Sequence, residues 1–510
     1  MISLSPFSSG GGQSATDFPK AAKEAATLLL TDIPRDGTAL TLASMQGILA
    51  NTSEKNLLFR AEKYREWLPF TNARLIETQP DGSPWDFAAL VKEFALCFDG
   101  YILCDSDSAL IALSLANQKN SIVVLPEHES TVRDAGLQLT ADVRGTNDIK
   151  FRMSPEFKNL RRDIAFEQPV SLAPRLMDYA VMSGAYIWYD ARASRAEHKN
   201  DFRFLRDNAL VFGWNNDLGE YDTLSSLSSL NACLIPSDWA CNLSVLSGFP
   251  GRAVRQKTDV LAEHGGRTVC LLMSDGDNLQ WFVGSYDDKA HYGSPVRGRF
   301  PFSWGVPASA ADLASPLVQK YYGDMTANDS FVMSLSGLGY TFPSKWTSRK
   351  ALLKMVASLS QKMKTLDMRQ LLVLDDSGFD SNALDMILRE TQADGIFYID
   401  FSKYAGLNGK MRFSHGKPIV SAKYQLWNNL PGCSPEEVAS AVNALPADPK
   451  DPDSYAFIIV HAWSGLNGDG IFVEGGDTMA AVEKFVNSLD PDTHLVSPSQ
   501  FMQRVASNCG

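Results

Sequence analysis

No apolar stretch of the chain approaches the ~20 residues that a membrane-spanning helix needs. Ser121 to Leu125, Leu371 to Leu374 and Phe457 to Val460 are strand-sized runs, so no transmembrane segment is expected. A long basic run is also missing. With 47 Lys and Arg against 59 Asp and Glu, the net charge of -12 argues against nucleic acid as a partner. Cysteines are few and poorly spaced for chemistry: Cys97, Cys104, Cys233, Cys241, Cys270, Cys433 and Cys509 are odd in number and contain no Cys-x-x-Cys, against a disulfide scaffold or a structural zinc site. Cys270, inside the run Val269 to Met273, reads as a small buried hydrophobe. Neither GxxxxGK[ST] nor G-x-S-x-G occurs, and Gly337-Leu-Gly339 lacks the third glycine of a dinucleotide fingerprint, so P-loop, nucleophile-elbow and nicotinamide chemistry lack support. The absence of short repeats disfavours a solenoid or propeller. The first twenty residues have neither a charged n-region nor an apolar h-region of about 7 to 15 residues, so a periplasmic or secreted location is expected only if a leader has been removed.

What is present is the balance of a folded protein, 45% hydrophobic and 21% charged over 510 residues, enough for roughly three domains. The aromatic supply of 10 Trp, 15 Tyr and 27 Phe suits either sugar faces or a large core. Helical patterns are expected at Ala21 to Leu30 and Ala39 to Ala50, before the charged, aromatic stretch Lys55 to Trp67. Gly100 to Asp105, a helix to Asn117, and Ser121 to Leu125 read as one βαβ unit. A helix at Arg175 to Gly184 leads to strand-like runs at Ala185 to Tyr189 and Ala209 to Trp214. From Ala232 onward eight short apolar runs alternate with helices, beginning with Ala232 to Pro236 and Thr268 to Met273 and ending with Pro418 to Ser421 and Ala456 to Val460. Continuous apolar runs of this length are the mark of buried parallel strands, so the expected fold class is α/β, with a C-terminal β/α barrel-like domain, TIM-like or distorted, behind smaller α/β domains. The expected divisions are 1–95, 96–170, 171–255 and 256–510.

Acids recur just after these runs: Asp238, Asp275 and Asp277, Asp375 and Asp376, and Asp400, with His461 closing the series. Loops that leave the C-terminal ends of barrel strands build active sites, so these side chains are expected to converge, although each Asp on its own also fits a helix cap or turn. Ser274-Asp-Gly-Asp-Asn278 is the densest cluster. Two carboxylates two residues apart can hold one another's proton or bind a hard cation, so a Ca²⁺ or Mg²⁺ ion at Asp275 and Asp277 is an open expectation, with no cofactor required. His461 at a strand end suits acid/base work, metal ligation or a hydrogen-bonded rim, and Trp463 suits a sugar-stacking face or packing. Gly465-Leu-Asn-Gly-Asp-Gly470 has glycine where a calcium loop needs acids and reads as a turn-rich loop.

Gly337-Leu-Gly-Tyr-Thr-Phe-Pro343 resembles the signature of the GxGYxYP family of putative glycoside hydrolases, with Phe342 in place of the second tyrosine. The segments Ser237 to Ser244, Ser274 to Asn278 and Val496 to Phe501 are similar to that family's recurrent segments in the same order. The resemblance implies a carbohydrate-acting hydrolase with a barrel-like C-terminal domain, and implies no settled catalytic pair. Asp277 and Asp376 are taken as the two carboxylates of glycosidic cleavage, with Asp275 raising the pKa of its neighbour and His461 assisting. Tyr340, Asn278, Asp238, Asn242, Trp463 and Asp400 are the substrate-binding candidates. Gly337 and Gly339 are expected to permit a tight turn, Pro343 to end strand pairing, and Phe342 to remove one polar contact. Two rivals remain: a polysaccharide-deacetylase-like metal hydrolase, although no two of the seven histidines are four apart, and a carbohydrate-binding protein without catalysis. The substrate is expected to be a neutral glycan unless a basic patch adjoins the cleft, and the oligomeric state is open.

Overall fold

The computed structural model describes residues 17–61, 63–257, 264–427, 430–463 and 477–510. Four sheets follow one another along the chain. The first has β1 (Thr27–Thr31) between β2 (Lys55–Phe59) and β3 (Arg74–Ile76), all parallel. The helix expected at Ala21 to Leu30 is therefore a strand over its last residues. A short leucine run buried between two neighbours lacks the periodicity that separates helix from strand. The helix Thr38–Thr52 forms as expected and is buried along nearly its whole length. A Cβ on Gly47 would lie 2.4 Å from the carbonyl oxygen of Asp178, so only glycine lets this helix sit against the helix Met177–Ser183.

The second sheet holds β4 (Gly100–Leu103), β5 (Ser121–Val124) and β6 (Leu139–Asp142), and β4 and β5 flank the helix Ala109–Ala116 as the expected parallel βαβ unit. The third runs β10-β9-β7-β8, from β7 (Ile164–Glu167), β8 (Tyr186–Trp188), β9 (Leu210–Gly213) and β10 (Cys233–Ile235). Here the reading of eight barrel strands is corrected. Ala232 to Pro236, the first expected barrel run, is the edge of this third sheet, where its free side meets the loop carrying Tyr340.

The other seven runs enter the C-terminal sheet. Its strands are β11 (Arg267–Met273), β12 (Phe302–Pro307), β13 (Asp329–Ser334), β14 (Gln370–Asp375), β15 (Gly395–Asp400), β16 (Met411–Ser414), β17 (Lys417–Ser421), β18 (Tyr424–Leu426), β19 (Tyr455–Val460) and β20 (Thr493–Leu495). The order β16-β17-β15-β14-β13-β12-β11-β19-β18, with β20 on β11, gives a curled half-barrel rather than an eight-fold barrel. Its ends approach through one stretch of chain: Ala422 N–H donates to Tyr398 O at 2.9 Å and Lys423 N–H to Phe457 O at 2.8 Å. β20 pairs with the start of β11, and β12 meets β11 at a single register pair, Leu272 with Ser303. Among the described residues no disulfide links the seven cysteines, Cys270 is wholly buried in β11, and no helix is long and apolar enough to cross a membrane.

Candidate active site

The C-terminal ends of the third sheet and of the half-barrel face one another across a cleft of about 430 Å³. Residues that follow β9, β10, β11, β13, β15 and β19 supply most of its walls, as the crevice rule for parallel sheets requires. Leu335, Leu372, Leu374 and Ile399 give it an apolar floor.

Ser274-Asp-Gly-Asp-Asn278 leaves β11 at one wall. The left-handed residue of this turn is Asp275, at φ 58°, and not the glycine. Gly276 serves close approach instead, since a Cβ there would lie 2.4 Å from the Gly305 Cα. Asn278 caps the following helix, accepting from Trp281 N–H at 3.2 Å, and still lines the cleft. Asp275 accepts from the Ser274 hydroxyl and, at 3.1 Å, from the Trp463 indole N–H. Asp277 is 7% exposed. Burial pushes its pKa well above the ordinary carboxyl value, and the charges of Asp275 and Glu220 push the same way.

Tyr340 enters the cleft from the Gly337-Leu-Gly-Tyr340 loop, which docks on β10. Tyr340 N–H donates to Leu234 O at 2.8 Å and Leu234 N–H to Tyr340 O at 2.9 Å. Neither glycine needs a positive φ; both are there for contact. A Cβ on Gly339 would sit 2.3 Å from Ile235 Cδ1 and 2.6 Å from Leu234 O, and one on Gly337 2.8 Å from Met355 Sδ. Gly339→Ala is therefore expected to break the two-bond bridge at a cost of about 1–3 kcal/mol, the range for overpacking. Unfolding midpoint and turnover should fall together, and an unchanged midpoint would refute the steric account. Pro343 ends the pairing and opens a single turn, Pro343–Lys345. Phe342 is fully buried, its ring 5.3 Å from Phe401 and 6.0 Å from Tyr221, so it stands outside the cleft lining.

The buried Tyr340 hydroxyl donates to Glu220, a residue the acid pattern missed. Glu220 starts the helix Glu220–Ser229 after β9 and is exposed as a whole, but its carboxyl end reaches Tyr340 in the crowded cleft. Loss of hydration there raises its pKa, the Tyr340 bond opposes, and the Asp275 charge adds to the rise. The loop before it is pinned from behind: Asn215 Oδ1 accepts from Asp217 and Leu218 N–H at 3.1 and 2.9 Å, while its Nδ2 donates to Glu167 at 2.7 Å. Glu167 also accepts from His198 Nε2 at 3.0 Å, and Ser226 holds the other ring nitrogen, all three being buried.

Asp238 lines the cleft, 3% exposed, with one carboxyl oxygen unpartnered and burial raising its pKa to about 6. His461 stacks on Trp427 at 3.5 Å between ring centres, and its Nδ1 accepts from Trp463 N–H at 3.2 Å, leaving Nε2 as the protonated nitrogen of the neutral ring. Burial lowers its pKa against the pull of Asp275. Trp463 packs on Trp281 and His291 as well as lining the cleft.

Three predicted residues lie elsewhere. Asp376 pairs with Lys345 at 2.9 Å and accepts from Tyr221 at 3.0 Å; the Lys345 bond holds its pKa below the usual range, and it does not line the cleft with Asp277. Asp400 accepts from Ser402 at 2.9 Å and from the amides of Lys403 and Ser377 at 3.1 and 3.2 Å, the work of a turn residue. Asn242 joins the first and third units, accepting from Phe59 N–H at 2.9 Å and Gln46 at 2.8 Å. The strand-end rule had reached β10 onward only, and so passed over Glu220 after β9; Tyr404 and Trp239, which also line the cleft, carry no spacing signal. Gly465 to Gly470 lies outside the described residues. Among the described residues no three His, Cys, Asp or Glu side chains are grouped to hold a metal ion.

Sequence comparison matches three stretches to one family: the GxGYxYP_N second domain at residues 98–153, the GxGYxYP third domain at 162–248, and the GxGYxYP putative glycoside hydrolase C-terminal domain at 266–506. No curated protein matches. The crystal structure of a putative hydrolase from Bacteroides thetaiotaomicron VPI-5482 superposes with a TM-score of 0.85 at 24% identity, over 96% of each chain, and supports the whole fold. A 4-alpha-glucanotransferase from Thermococcus litoralis gives a TM-score of 0.32 at 14% identity, over 47% of this chain and 40% of its own, too distant a likeness to carry an argument.

Proposed function

The chain belongs to the GxGYxYP family of putative glycoside hydrolases, and from that premise we propose that it cleaves a glycosidic bond held across the cleft, with Asp277 as proton donor and Glu220 as the facing carboxylate. The observation that carries this reading is the pairing of unlike environments. Asp277 is buried against the charge of Asp275, and both burial and that charge favour its protonated form, whereas Glu220, though its pKa is also raised by loss of hydration, takes a hydrogen bond from Tyr340 that favours its ionised form. One wall thus offers a proton to the leaving oxygen, and the other a carboxylate for attack or for activating water. Asp238, the His461 Nε2–H and the ring of Trp463 are left to orient the sugar.

Purified protein should release reducing ends from a panel of aryl glycosides and polysaccharides, undiminished by EDTA. Acetate in place of reducing ends would replace the reading with deacetylation, and EDTA-sensitive cleavage would put a cation at Asp275 and Asp277 into the reaction.

The pH profile gives a further test. Activity needs Glu220 ionised, so it falls as pH drops through the Glu220 pKa, and it needs Asp277 protonated, so it falls as pH rises through the Asp277 pKa. Tyr340→Phe removes the hydrogen bond that lowers the Glu220 pKa, so the acidic limb of kcat/KM is expected to move to higher pH while the basic limb stays. A shift of the basic limb alone would reverse the assignment.

A further inference from the structure

A second groove, of about 780 Å³, adjoins the cleft and shares with it one residue, Trp239. Its walls follow the C-terminal ends of β1, β5 and β7, where parallel sheets present ligands, although the cleft chemistry makes no use of them. Trp239 is 52% exposed and yet its backbone is held: the main-chain N–H donates to Gln280 at 2.7 Å, the main-chain carbonyl accepts from Arg175 at 2.7 Å, and the Arg175 guanidinium lies 5.2 Å from the ring centre. An open indole on an anchored backbone, with a guanidinium against its ring, offers an exposed face for a sugar ring. The groove lining carries Arg35, Arg60, Arg175 and Asp36, and the Glu127 carboxyl lies beside its Gly37. Arg60 is met by Asp32 at 2.7 Å, and Asp36 is engaged by Thr38, whereas Arg35 is exposed and has no ion-pair partner among the described residues.

Resting on the glycoside-hydrolase reading of the cleft, we infer that the substrate is an oligosaccharide that crosses Trp239 and lays an anionic sugar unit, bearing carboxylate or sulfate, on Arg35 and its neighbours. The acidic cleft would repel such a unit and the exposed Arg35 would attract it, so the charge pattern sets which part of the chain enters the reactive end.

The test is calorimetric titration of the full chain with galacturonate oligosaccharides of two and six units, a chondroitin sulfate hexasaccharide and neutral xylohexaose, at low and high salt. At least one anionic hexamer should bind tenfold or more tightly than the galacturonate dimer and the neutral hexamer, with the advantage shrinking as salt rises. The better of the two anionic hexamers identifies carboxylate or sulfate. Arg35→Ala, at an exposed position, should remove the charge preference, and Trp239→Ala the length preference. Equal affinities across the panel, or a preference that survives Arg35→Ala, overturns the inference. The cleft reading fails separately: tight hexamer binding without reducing ends leaves the groove and removes hydrolysis, whereas hydrolysis indifferent to length and charge does the opposite.

Discussion

Asp277→Asn is expected to lower kcat about 10³-fold on any oligosaccharide the protein cleaves, while substrate affinity changes little. The substitution keeps size and polarity but removes the proton that burial favours on the Asp277 carboxyl, and positioned general acids contribute about 10²- to 10⁴-fold. At 1.36 kcal/mol per decade, a thousandfold is about 4 kcal/mol of lost transition-state stabilisation. Aryl glycosides with very acidic leaving groups need less protonation and should lose much less, a contrast that a purely structural role would not produce. Asp376→Asn is the control. Its pair with Lys345 sits to the side of the cleft, and partly exposed pairs of this kind are worth about 0–1 kcal/mol, so turnover should stay within about threefold. Equal collapse of both variants would return Asp376 to the catalytic pair.

The largest loss of stability is expected from Glu167→Leu, at about 2–6 kcal/mol, because a buried hydrogen-bond network loses the acceptor that two donors share. The leucine leaves the His198 and Asn215 donors without their acceptor in a dry interior, and each orphaned donor adds about 1–3 kcal/mol. Denaturant unfolding followed by intrinsic fluorescence should show an early transition. Amide exchange should also quicken at Asp217 and Leu218, whose N–H groups hang on Asn215. Glu167→Gln keeps one acceptor and should lose less. If exchange at those amides is unchanged, Glu167 does not position the loop that carries Glu220.

The α/β class and seven strands of the C-terminal sheet were legible because fully buried parallel strands leave unbroken apolar runs. The strand-end acids were legible for the same reason, as the run marks where the chain turns out of the sheet. Ala232 to Pro236 misled because its apolar run is as continuous as the others, and only the partner strand β9 assigns it to the third sheet. Glu220 was hidden since the cleft is made by two sheets facing each other, a relation that no local pattern records. Asp376 looked equivalent to Asp277, but its fate is set by Lys345, thirty-one residues away along the chain and next to it in space. Asn242 stood in a segment shared with the family and turned out to bond Phe59 and Gln46, a reminder that a recurrent polar residue also serves to join units.

The bridge between Leu234 and Tyr340 makes the third unit and the half-barrel joint walls of one cleft. A gene fragment trimmed to residues 266–506 would encode Asp275, Asp277, Tyr340 and His461 but neither Glu220 nor Asp238, and so half a workplace. The two units are therefore not interchangeable modules: a graft from a distant homologue must bring both faces of the seam, and recombination between them should yield folded but idle chimeras.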